Sequence, residues 1–448
     1  MKIGFSKLNL EAALFPKQEI REPIEAVATY FEEGQSKALW ITLDFMDFNR
    51  KYTDTVRAAI AVGCCLECEC VHLFTTHNHG GGNPNLDILA SLCVTAAKTA
   101  IATSRRVKAR FAFTESDEQL GIKRRLYFPE FNATSTLFFG ACRENDFNAA
   151  LFRERIIRNF EEKGVISNGI APSTDLPYER FAEGDREIFI MQFTDEEGVT
   201  VGSFVRFAAH AVTANRQGSY SSDYPFYVRK TVEEALGGIC MFLNGPCGEI
   251  APGMLDKQQG MERVLGEHIA SLALSAIKDK TFLESRGFYD RRIEIKLPVR
   301  DEVVQNCVTV DDTPPSSPPE KWRYLERLTF KRTLPFLYEK YSEGETQLTD
   351  KVSVFVSLTE LFGVTFLGFP GETFNATAKA VKESFAYKNI VTATEHDRTV
   401  MYLPPEAEFA LGGYESTCKL TAGSAEGVLR TEVTDALLDY FKENKNEV

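Results

Sequence analysis

Between residues 38 and 115 the chain alternates apolar, strand-like runs with amphipathic, helix-like ones, and this alternation commits it to an α/β fold. "ALWITLDFMDF" (38–48) is an apolar run closing in acidic residues, and "TDTVRAAIAVGCCLE" (53–67) repeats its apolar positions at helical spacing. "CVHLFTTHNH" (70–79) predicts a second strand, "NLDILASLCVTAAKTAIATS" (85–104) a second amphipathic helix, and "VKARFAFTES" (107–116) a third strand. Nearly continuous apolar strands of this kind belong to sheets covered on both faces.

Downstream, "EIFIMQFTDEEGVTVGSFVRFAAH" (187–210) predicts a hairpin, "YPFYVRKTVEEALG" (224–237) a helix and "ICMFLNG" (239–245) a strand. The four prolines within six residues of "DDTPPSSPPEKW" (311–322) predict an extended linker or loop. "VSVFVSLTELFGVTFLGFPGE" (352–372) predicts a second hairpin, and "VLRTEVTDALLDYFKENK" (428–445) a terminal helix.

With 448 residues, 44% of them hydrophobic, the chain can bury a large core. Its 51 basic against 64 acidic residues give a net charge of -13, which disfavours nucleic acid and anionic membranes as partners. No run reaches the roughly 18 apolar residues of a membrane span, and "MKIGFSKLNLEAALF" reads as a strand rather than a leader, so a cytoplasmic protein with reduced thiols is expected. "GCCLECEC" contains Cys65-x-x-Cys68, a zinc-ligand spacing, but lacks the second pair that would complete such a site.

In "FTTHNHGGGN" (74–83), His77 and His79 stand one residue apart and on an extended segment point the same way, so they could share a metal or a substrate. A polar turn explains the same letters. His210 in "FAAHAVT", Asp223 in "SSDYP", Asn244 and Glu249 in "NGPCGEIAP", and Glu372 in "FPGET" each occur where a strand or hairpin runs into a loop. Open α/β sheets build their sites at such places. Each also has an ordinary alternative: a core histidine, a helix cap, a turn carboxylate. His72, an odd number of residues from His77 and His79, is expected to face the other way, and His268 and His396 are read as surface residues.

Taken together, these stretches resemble the catalytic domain of the neutral/alkaline (non-lysosomal) ceramidase family, in the form of a short, cytoplasmic, bacterial-type member. Its hallmark order is a T-H-x-H-G-G segment, an Ala-x-His-like strand end, a Gly-Asp-x-Ser-Pro turn, a Pro-Gly-Glu turn and a late tyrosine pair. "YLPPEAEFALGGYE" keeps the family's twelve-residue spacing from Tyr402 to Tyr414, with Pro-Glu between and glutamate after. The resemblance implies an α/β fold of mixed sheets with flanking helices, one catalytic domain over 1–448 and no C-terminal immunoglobulin-like domain.

It also implies Zn²⁺ held by His77, His210, Glu372 and Tyr402, with His79 and Tyr414 as catalytic groups. Arg124 and Arg125 in "KRRL" resemble the family's Asn-Arg-Arg and would anchor substrate, alongside Asp223, Asn244 and Glu249. One departure matters: the family's catalytic serine is Ala251 here, which has no hydroxyl. The expected function is zinc-dependent hydrolysis of an amide bond in a small soluble N-acyl compound, by a water that the metal activates. The rival readings are an esterase or lactonase, a lyase or isomerase on the same scaffold, and a non-catalytic binding protein. A homo-oligomer is the ordinary expectation for an enzyme of this size.

Overall fold

The computed structural model describes all residues except 117–119, 130–131, 137–178, 181–183, 215–218, 254–259, 314, 343–348, 387 and 444–448. Three mixed sheets form the frame. The first orders its strands Val71–Thr75, Ser36–Leu43, Glu25–Glu33, Lys2–Asn9 and Arg105–Arg106. The second orders Ile239–Asn244, Thr200–Phe207, Glu187–Thr194 and Lys108–Glu115; the third orders Phe288–Pro298, Lys351–Leu361, Val364–Gly368 and Ile390–Ala393. Each sheet has one parallel pair at the edge that leads to the candidate site: 36–43 with 71–75, 200–207 with 239–244, and 364–368 with 390–393.

Side-chain alternation sorts each strand between two cores. In Ser36–Leu43, Ala38 and Trp40 face a central aromatic layer while Leu39, Ile41 and Leu43 face outward onto helices. The same split sends Phe189, Met191 and Phe193 inward and Ile188 and Ile190 outward. Trp40 joins the three sheets, its ring centroid 5.6 Å from Phe74, 5.6 Å from Phe204 and 5.4 Å from Phe366.

Helices Arg50–Cys64 and Leu86–Ala102 cover the outer face of the first sheet. Asn49 and Asn85 cap them, each side-chain oxygen accepting from a backbone N–H of the first turn. Asp223–Leu236 and Met261–Ile277 cover the second sheet, and Pro318–Ser342, Asn375–Ser384 and Ala425–Glu443 lie about the third. The predicted elements are present, with one difference in type. The last residues of the proline-rich segment begin the helix Pro318–Ser342, since proline lacks only an N–H that the first helical turn would leave unbonded anyway.

One expectation fails. His396 is fully buried, not on the surface. It accepts from His72 (Nδ1 to Nε2, 3.2 Å) and donates from Nδ1 to the Phe355 carbonyl at 3.1 Å. "GCCLECEC" forms no metal cluster among the described residues; its cysteines are free and belong to the end of one helix and the following short 3₁₀ turn. No described helix is long and apolar enough to cross a membrane.

Candidate metal centre

The candidate site forms where the three parallel edges end. His77 lies two residues past Val71–Thr75, His210 three residues past Thr200–Phe207, and Glu372 four residues past Val364–Gly368. The turn carrying His77 is stitched to the one carrying His210: His79 N–H donates to the Ala211 carbonyl at 3.2 Å, and Asn78 bridges Ala211. Glu372 and Tyr402 are register partners on two short parallel strands, which sets their side chains on one face.

Asn244, at the end of Ile239–Asn244, holds this junction together. Its Nδ2 donates to the Thr76 carbonyl at 3.2 Å, its Oδ1 accepts from Ala209 N–H at 3.4 Å, and its own carbonyl accepts from Thr394 N–H at 2.8 Å. One side chain therefore ties together the residues just before His77 and His210.

His77 and His79 do share a face, but through a kink rather than a strand: His77 is left-handed, at φ 54°. Their Nε2 atoms are 3.4 Å apart. The glycines that follow serve close approach by the chain itself. A Cβ at Gly81 would stand 2.1 Å from the Asp44 carbonyl oxygen, and one at Gly80 would stand 2.7 Å from that of Ser221.

His77 and His210 are orientated alike. His77 Nδ1 donates to the Met46 carbonyl at 3.0 Å and His210 Nδ1 to the Ile250 carbonyl at 2.9 Å. A carbonyl can only accept, so each Nδ1 carries the proton and each Nε2 is left to face inward. Both Nε2 atoms face Glu372 Oε2, at 3.3 Å from His77 and 3.0 Å from His210. In neutral rings that opposes nitrogen lone pairs to a carboxylate lone pair, an arrangement that only a proton or a metal cation between them can stabilise.

The electrostatics follow this crowding. Burial pulls His77 down, but Glu372 and Glu395 outweigh it and raise it to about 9. Burial, Arg124 and His77 press His210 down to about 4. Burial would raise Glu372, yet His77 and His210 hold its carboxyl well below the usual range. The pair thus favours positive charge where His77 Nε2 meets Glu372 Oε2. One ligand atom each from His77, His79 and His210 lies within 4.8 Å of the others, so this cluster could hold a metal. His79 reaches solvent, yet the dense protein around it and the neighbouring imidazoles keep it well below the ordinary imidazole range.

Tyr402 completes the surroundings. Its phenol oxygen accepts from Arg124 Nη2 at 3.1 Å, and its ring is 5.6 Å from that of Tyr414. Burial pushes the Tyr402 phenol well up, with Arg124 acting in the opposite direction. Arg124 and Arg125 are both buried on one carboxylate: Arg124 Nε donates to Glu415 Oε1 at 2.9 Å and Arg125 Nη1 to Oε2 at 3.0 Å. Arg125 also donates to the carbonyls of Glu408 and Gly412.

The remaining predicted residues are engaged elsewhere. Glu249 accepts from the N–H groups of Asn375 (2.9 Å) and Ala376 (3.4 Å) at the start of the helix Asn375–Ser384. Asp223 begins its helix rather than preceding it, and its oxygens accept from Thr213 Oγ1 and from the N–H groups of Ala214 and Tyr224. Ala251 adjoins Ile250, whose carbonyl anchors His210, and its side chain brings no polar atom there.

Sequence reasoning missed Glu395 and Glu415. Glu395 Oε1 is buried 3.4 Å from His77 Nδ1 with no hydrogen-bond donor, and burial pushes its carboxyl up to about 8. Glu415 was visible only as the residue after Tyr414, whereas the fold makes it the shared anchor of two arginines.

No protein-family description matches the sequence, and no curated protein does. Among solved structures, the chain resembles neutral ceramidase from Pseudomonas aeruginosa with a TM-score of 0.63 and 13% identity, over 97% of this chain and 73% of that one. It also resembles a ceramidase complexed with C2, with a TM-score of 0.63 and 14% identity, over 98% of this chain and 75% of that one. Likeness at such low identity establishes the shared α/β fold.

Proposed function

We propose that this protein is a zinc-dependent hydrolase that cleaves an amide bond in a small N-acyl compound. The observation that carries the reading is the convergence of His77 Nε2 and His210 Nε2 on Glu372 Oε2, with both Nδ1 atoms anchored on main-chain carbonyls. That donor set fits the group: two imidazoles, a carboxylate and the Tyr402 phenol suit Zn²⁺ and leave a position for water or substrate. When bound, the metal supplies a water of lowered pKa and polarises the scissile carbonyl. The amide specificity is carried over from the ceramidases, whose motifs the sequence resembles and whose fold it shares.

The chain's own groups divide the remaining work. Arg124, donating to the Tyr402 oxygen, favours its anionic form against the effects of burial and Glu372. His79, solvent-reaching and neutral, would take a proton at Nε2 from the attacking water and pass it to the leaving nitrogen. Tyr414, beside Tyr402, is the second donor available to the departing group. Both arginines are held by Glu415, so the role assigned to Arg124 is support of Tyr402 rather than capture of substrate.

Metal content of the purified protein tests this together with hydrolysis of N-acyl compounds, esters and lactones. About one zinc per chain, with an N-acyl compound as the best substrate, is expected. Protein that neither contains zinc nor takes it up would refute the reading. Turnover confined to esters or lactones would keep the metal centre and move the bond.

A further inference from the structure

Behind the tyrosine segment lies a second group of buried polar atoms that the hydrolase reading does not use. The Cys418 thiol lies beside Tyr414, while the ammonium of its neighbour Lys419 lies over Phe409. Lys419 is 0% exposed, and its ammonium has no hydrogen-bond acceptor. It rests 4.6 Å from the centroid of the Phe409 ring.

Arg300 approaches the same ring at 5.5 Å and stacks on Phe330 at 3.5 Å. Its Nη1 donates to the Ser416 carbonyl at 2.9 Å, and its nearest carboxylate is Glu302, at 3.7 Å. Two cations thus share one aromatic ring. Among the described residues Lys419 has no carboxylate partner, whereas Arg300 is paired with Glu302. The carboxylates that act on Lys419 through space are Glu426, which accepts from Thr377 and Arg430, and the exposed Glu406; Arg125 adds further positive charge.

Two hydroxyls on the same short segment are also buried without partners, Ser416 Oγ and Thr421 Oγ1. Thr421 is two residues from Lys419 on a segment that pairs with Met401 at one residue and Val299 at the other, so the two side chains share a face. Buried polar atoms are almost always bonded, and three orphans in six residues beside two cations point to an absent partner that accepts hydrogen bonds and is negative. Burial and Arg300 also press the Lys419 ammonium down to about 7, the response of a cation that lacks its counter-charge.

We propose that Lys419, Arg300, Ser416 and Thr421 bind a small oxyanion, either a phosphate or a carboxylate group, at a site separate from the histidine cluster. Lys419 and Arg300 would supply the charge and the two hydroxyls the neutral donors. The proposal is independent of the hydrolase reading.

The test titrates the full-length protein with inorganic phosphate, acetate and sodium chloride at matched ionic strength, and follows the thermal midpoint and the heat of binding. A rise that Lys419→Met removes cannot come from anions at the histidine cluster, which that substitution leaves intact. The expected result is a saturable rise of about 2 °C with one of the two oxyanions and none with chloride. Phosphate alone or acetate alone identifies the chemical source.

Lys419→Met should abolish the rise and Thr421→Val should at least halve it. In oxyanion-free buffer Lys419→Met should melt at or above the parent, because it removes a buried amine that has no acceptor. If Lys419→Met does not fold, Arg300→Gln takes its place with the same expected loss. Identical responses to all three salts, or a rise that survives substitution of Lys419 or Arg300, would overturn the site.

Discussion

Two groups of buried histidines meet at the strand Val71–Thr75, one through His72 within it and the other through His77 just past its end, and they use their rings in opposite ways. At the candidate metal centre, His77 and His210 donate from Nδ1 to main-chain carbonyls, so two Nε2 atoms converge on Glu372. Around His72 the bonds run in line: His396 Nδ1 donates to Phe355 O, His72 Nδ1 donates to His396 Nε2, and His72 Nε2 meets Asp290 Oδ2 at 2.9 Å. Thr359 donates to the other Asp290 oxygen at 2.5 Å. Every nitrogen in the second group is consumed, and one proton held between His72 and Asp290 closes the chain. Histidine content alone does not make a metal site; inward-facing lone pairs left over after the supporting bonds are made do.

The sharpest way to break this contrast is to remove a convergent donor. His77→Ala and Glu372→Ala should each lose the bound metal and depress hydrolysis on the order of 10³-fold, measured by metal analysis and steady-state kinetics. Retention of stoichiometric metal in both would end the distinction between the two groups.

The converse applies to the in-line group. Asp290→Ala strips the partner from a buried His72 and should reduce stability by about 3–5 kcal/mol in urea unfolding while leaving metal content unchanged. Loss of metal without loss of stability would show that this group serves the centre.

Asn244 sits between the two behaviours, as structural support for the segments that carry His77 and His210. Asn244→Ala should reduce stability by about 1–3 kcal/mol and weaken metal affinity about 10-fold or more, read by unfolding and by competition with a chelator. An affinity equal to wild type would confine Asn244 to folding.

The smallest effect is a slope. Burial presses His396 to about 3, so between that value and the unfolded value of about 6.5 the unfolded chain binds a proton there that the native chain does not. The associated stability is present above pH ~6.5 and declines by about 1.4 kcal/mol per pH unit as pH falls toward 3. Relative to wild type, His396→Phe should flatten the curve of unfolding free energy against pH in that window. Parallel curves would show that His396 is charged in the native state.

The strands, the covering helices and the hairpins were legible because burial on one or two faces imposes periods that survive in the letters. His77, His210 and Glu372 were legible as strand-end residues in a familiar order, and the fold brings them within contact. The misjudged residues share one cause. "TEHDR" is polar in sequence, yet His396 and its neighbours are buried, since partners far along the chain, Arg57, Arg292 and His72, neutralise or satisfy them. Glu249 sits in a glycine- and proline-rich turn that suggests a site, and it caps a helix more than a hundred residues away.

Local periodicity and side-chain chemistry were enough to specify the α/β class, the strand ends at which a site could form and the types of donor it could contain. Tertiary structure alone decided which nitrogen of each ring faces inward, that Arg124 and Arg125 share Glu415, and that Lys419 is buried without an acceptor. Each of those depends on a hydrogen-bond partner contributed by a distant segment, and no local pattern encodes the identity of that partner.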